Sequence, residues 1–150
     1  MRKRFEQDKS LDSVPIEEVY IDKKSRDGLP QLLGGLLHIF VTPDLNAAIF
    51  EILEKRVKGD KKNTGRPGMS LWELFVMGLV RLNLNIDYDR LHDMANNHDG
   101  MRVLMGIQTR GVFERGKQYN LQTIKDNVGL LDETTLIKIN EVVVLSLIHI

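Results

Sequence analysis

The chain has 150 residues, 42% hydrophobic and 28% charged, which suffices for one ordinary core and is normal for a globular domain. It has no cysteine, which excludes disulfides, thiolate catalysis and the common structural zinc sites, and its 21 basic residues balance 21 acidic ones, so any nucleic-acid contact must use a local patch. No run nears the roughly 18 consecutive apolar residues of a membrane span. Met1 to Ser10 is charged with no apolar segment behind it, so the expected location is the cytoplasm.

Residues 1–29 mix charges around a short apolar piece, Val19 to Ile21, and end in a turn signal at Asp27, Gly28 and Pro30; they read as an extended, partly ordered N-terminal arm. Leu32, Leu33, Leu36, Leu37 and Phe40 then recur at helical spacing and predict a helix over Gln31 to Val41. Thr42, Pro43 and Asp44 supply a cap, a first-turn proline and a first-turn acid, which start a second helix with Leu45, Ala48, Ile49, Ile52 and Leu53 along one face. Lys58 to Gly68 holds three glycines and a proline and predicts an exposed loop.

Ser70 and Glu73 form a capping box ahead of Leu71, Trp72, Leu74, Phe75, Val76, Met77, Leu79, Val80 and Leu82, apolar nearly all round, which predicts the central buried helix. Asp87 caps a short helix carrying Leu91 and Met94, Asn97 to Gly100 breaks it, and a further turn follows at Met101 to Met105. After a loop containing Gly106, Gly111 and Gly116, Leu121, Ile124 and Val128 predict another helix. Asp132 and Glu133 start the last, through Leu136, Ile137 and Ile139. No alternating strand pattern occurs, so the expected fold is all-α, a body of about six helices over residues 30–144 behind the arm.

The chain closes on Val142-Val143-Val144-Leu145-Ser146-Leu147-Ile148-His149-Ile150, with neither glycine nor a polar turn to end a helix. Residues 145–150 are also the translation of a tagmentation mosaic-end adapter. They are expected to be an adapter scar, with the native chain continuing past Val144.

Asn63-Thr64-Gly65-Arg66-Pro67-Gly68, then Leu71-Trp72-Glu73-Leu74-Phe75, then Tyr88-Asp89-Arg90-Leu91-His92-Asp93-Met94-Ala95-Asn96 stand in an order and spacing that resembles the N-terminal domain of insertion-sequence transposases related to the IS5 group, especially the unclassified types. Met1 to Phe5, the Pro43 helix, Leu104 to Ile107 and Asn127 to Asn140 extend the similarity over nearly all of the chain up to Val144. The resemblance implies a helical domain that binds double-stranded DNA at the terminal repeats of a mobile element. A ribonuclease-H-like domain would follow it, whose two aspartates and one glutamate hold two divalent ions such as Mg²⁺ for phosphoryl transfer. None of those three carboxylates matches a position here, so this stretch alone is expected to hold no cofactor and catalyse nothing. The implied partners are DNA, the missing catalytic domain and, as a candidate, a second copy; no membrane is implied.

The candidate DNA contacts fall in three groups. Lys55 to Arg66 carries six basic residues against one acid, and Lys58, Lys61, Lys62 and Arg66 lie on its loop, where Gly-Arg-Pro has the form of a minor-groove hook; the plainer reading is a solvated linker. Arg110, Arg115 and Lys117 make a weaker patch. Asn120, Gln122, Thr123 and Lys125 on the Tyr119 to Val128 helix present side chains able to read base edges or phosphates, although Asp126, Asp132 and Glu133 nearby favour an ordinary surface helix.

Asp87, Asp89, Asp93 and Asp99 invite a metal site, yet Asp87 is a natural cap and Asp89 and Asp93 fit a solvated face. His92 and His98 lack a third ligand, and His38 sits at the polar edge of the first helix, so no metal residue is assigned. Trp72 and Phe75 would suit base stacking but, on so apolar a helix, read as core. A helical protein-interaction or regulatory module without nucleic acid is the alternative, and the zero net charge favours it.

Overall fold

The longest apolar stretch does become the hub. In the computed structural model, which describes Arg4, Phe5, Ile16 and residues 28–57, 69–107 and 118–148 (no side chain at Asn140 or 143–148), helix α3 (Leu71–Leu84) buries every residue from Leu71 to Gly78 and then Val80. Side chains this size bring about 1.5–3 kcal/mol each when removed from water. Leu82 departs from the expected buried run: it is 50% exposed, one turn beyond the core.

Around α3 pack α1 (Gly28–Val41), α2 (Pro43–Val57), α4 (Tyr88–Asn97) and α6 (Leu121–Val128); α5 (Asp99–Leu104) touches α1 and α4, and α7 (Glu133–Ile148) lies along α2. Among the described residues there are seven helices and no strand, so the all-α reading holds. The seventh is the stretch expected to be only a turn: His98 ends α4 and starts α5, its ring Nδ1 accepting the Met101 N–H at 3.1 Å. A histidine in that role is not among the usual capping signals.

Other boundaries follow familiar chemistry. Helix α1 begins at Gly28, three residues before Gln31, with Pro30 inside its first turn, where amide hydrogens have no intrahelical acceptor and a missing one costs nothing. Thr42 closes α1 by donating its hydroxyl to the His38 carbonyl at 2.7 Å, and α2 leaves at a 98° bend. Ser70 Oγ accepts the Glu73 N–H at 3.3 Å, and Asp87 Oδ1 accepts the Arg90 N–H at 2.8 Å, as expected. Asp132 Oδ1 accepts both the Thr135 N–H and its hydroxyl, opening α7. Of the three apolar residues named for α7, Leu136 and Ile139 are buried and Ile137 is 53% exposed. The helix runs to Ile148, into the stretch read as an adapter scar. No single helix among the described residues is long and apolar enough to cross a membrane.

Two glycines matter to the packing. A Cβ on Gly78 would stand 2.9 Å from Leu131 Cδ1, so its absence lets the segment before α7 close on α3. Gly106 has φ 84°, a left-handed turn after α5 that side chains resist.

Candidate nucleic-acid interface

Helix α6 buries Ile124 and Val128 and half-buries Leu121, leaving Gln122, Thr123, Lys125 and Asp126 in solvent. It stands on α3 and α4. Two of the four residues proposed here from sequence are engaged within the helix. Asn120 is the N-cap, its Oδ1 accepting the Gln122 N–H at 2.8 Å, and Gln122 Nε2 donates to Asp126 Oδ1 at 2.8 Å. Thr123 and Lys125 are exposed. The Gln122–Asp126 bond places a carboxylate on the same face, which keeps a DNA phosphate away from it and suits neutral base edges better.

Lys58, Lys61, Lys62 and Arg66, with Arg110, Arg115 and Lys117, lie outside the described residues. Their flanks are placed. Lys55 and Arg56 end α2, where Lys55 pairs with Glu51 at 3.3 Å and Arg56 reaches Asp132 at 3.3 Å, exposed pairs of small energetic weight. Gln118, next in the chain after Lys117, stands two residues before the α6 cap.

What the sequence reading missed is the polar assembly beneath α6. Glu73, read from sequence only as the acid of a capping box, is 3% exposed. Its Oε1 accepts the Ser70 hydroxyl at 3.2 Å and its Oε2 accepts the Tyr119 phenol at 2.5 Å. Burial first, and then the Glu73 carboxylate, push the Tyr119 phenol well above its ordinary value, so it stays a donor. Arg102, 2% exposed, donates from Nη1 to the Ala95 carbonyl at 2.8 Å, and its pKa is lowered chiefly by burial, against the opposing pull of Tyr119 and Asp99. The only hint was one acid inside an apolar helix; its partner lies 46 residues away.

Most of the remaining candidates are engaged in the fold. Trp72 and Phe75 are fully buried, and Trp72 Nε1 donates to the Leu104 carbonyl at 2.7 Å, so neither presents a face to a base. Asp93 accepts from Asn97 at 2.9 Å, and His92 Nε2 meets the Tyr119 carbonyl at 2.9 Å. Among the described residues no three His, Asp or Glu side chains gather as a metal-holding group. Arg81 stacks 4.2 Å over the Tyr88 ring, a cation–π contact that offsets an Nε buried without a hydrogen-bond acceptor.

Comparison of the chain with protein-family profiles, curated proteins and solved structures found no match.

Proposed function

We propose that this chain is a cytoplasmic double-stranded-DNA-binding module, the end-gripping N-terminal part of a transposase-type protein whose metal-dependent catalysis lies elsewhere. The observation that carries the reading is the α6 face: a short helix held on α3 and α4, exposing Gln122, Thr123 and Lys125, with the basic segment Arg110, Arg115 and Lys117 leading into it. In this reading the basic segments hold phosphates and set register, while α6 meets base edges. The sequence resemblance supports the same assignment.

The test is fluorescence anisotropy of the full chain on a random-sequence duplex, and then on duplexes enriched from it. The seven cations of the two basic segments set a limiting slope of about −6 for log K against log salt. Replacing Lys58, Lys61, Lys62 and Arg66 with alanine is expected to abolish binding at moderate salt, whereas T123A/K125A narrows the gap between enriched and random duplex. Absence of duplex binding by the wild-type chain at about 50 mM salt, where phosphate contacts are strong, refutes the proposal and leaves the protein-interaction reading.

A further inference from the structure

Eight residues are too few for a helix to persist on its own, because nucleation is costly and only a handful of bonds follow it. Helix α6 therefore depends on its attachments. Besides Ile124, Val128 and half of Leu121, these converge on the single residue before its cap. The Asn96 amide grips the Tyr119 backbone from both sides, Oδ1 accepting the Tyr119 N–H at 2.7 Å and Nδ2 donating to its carbonyl at 3.1 Å, as a neighbouring strand would. His92 Nε2 meets the same carbonyl at 2.9 Å, and the phenol donates to Glu73 at 2.5 Å. These partners sit on α3 and α4, the helices against which α6 packs, and Asn120 follows Tyr119 directly as the cap.

We propose that Tyr119 is a latch that positions α6: its backbone is held by α4 and its phenol by α3, and this fixes how the Gln122, Thr123 and Lys125 face meets a duplex. The last step rests on the DNA-binding reading; the anchoring of α6 does not. Asn96 and His92 set where the main chain enters the helix, and the Glu73 bond sets how deep the ring sits. Release of either end lets the cap shift and the helix fray, so that DNA binding must first reorder it.

Native-state hydrogen exchange on the full-length variants Y119F and N96A tests the latch without DNA. Amides of residues 121–128 should exchange about tenfold faster, the effect of losing a buried hydrogen bond, beyond any change seen across residues 43–57. Y119F also deprives the buried Glu73 carboxylate of that donor, so Y119F/E73Q, with the charge removed, should recover global stability. A latch requires that exchange across 121–128 stays fast in this double variant and that its preference for enriched over random duplex stays about tenfold weaker. Exchange across 121–128 that merely follows global opening in both single variants, or that recovers together with stability in the double variant, overturns the latch and makes Tyr119 an ordinary core hydrogen bond. A wild-type chain that binds no duplex sinks the DNA-binding reading alone, and the exchange data still decide the latch.

Discussion

Trp72 is the one tryptophan of the chain and joins three parts of the core, so Trp72→Phe offers a sharp test of the packing. Its ring lies 4.9 Å from Phe40, 6.2 Å from Phe50 and 5.6 Å from Phe75, and its indole N–H satisfies the Leu104 carbonyl at the end of α5. Phenylalanine keeps the aromatic contacts but removes that donor, and a buried carbonyl left without a partner costs about 1–3 kcal/mol. The smaller ring also leaves a cavity of about 40 Å³, worth about 1 kcal/mol if the site does not relax. The sum, about 2–4 kcal/mol, is a large part of the stability of a domain this size and should lower Tm by about 5–15 °C. Urea unfolding followed by far-UV circular dichroism measures it, since the variant has no tryptophan signal. A loss under about 1 kcal/mol, where the donor alone accounts for that much, would refute the buried placement, as would efficient quenching of the wild-type indole by iodide. If the proposed DNA binding holds, affinity at a temperature where both proteins are folded should not change.

Gly106→Ala should destabilise by about 1–2 kcal/mol in chemical denaturation, because its φ of 84° is strained for any side chain, while Gly35→Ala, with open space around its Cβ position, should stabilise α1 by up to about 1 kcal/mol; equal effects would contradict these backbone assignments. Alkaline titration should separate Y119F from the wild type. The unfolded Tyr119 phenol ionises near 10.0 while the folded one holds its proton well above that, so its stabilising contribution is complete below about pH 10 and is lost as pH rises toward the folded value, a slope Y119F should lack. Asp132 behaves in the opposite sense. Thr135 first, and Arg56 more weakly, hold its carboxyl below the usual 3.8, so its contribution is present above that pH and fades as pH falls through the folded value; D132A should flatten this acid limb and speed amide exchange in the first turn of α7, and an unchanged acid limb would count against the cap.

Much of this architecture was legible one turn at a time. Ser70, Asp87 and Asp132 announce helix starts because a side-chain oxygen satisfies an amide within three residues of itself, and the apolar run after Ser70 identifies the hub because nothing else would bury so continuous a face. Two signals were missed: the His98 ring as a cap, which lies outside the common repertoire, and Pro30, a familiar first-turn residue that beside Asp27 and Gly28 reads equally as a turn. For the candidate interface, spacing identified α6 and its polar positions, but not that Gln122 is engaged by Asp126.

The sequence by itself determined the all-helical class, the order of the main helices and the central place of α3, since these follow from local capping and from the period of the apolar residues. Only the tertiary structure decided that Leu82 and Ile137 face solvent, that Trp72 closes the end of α5, and that Glu73 turns inward to hold Tyr119 beneath α6. Those outcomes depend on which helices meet, across separations of 32 and 46 residues, and no local pattern encodes the desolvation and pairing that such a meeting imposes.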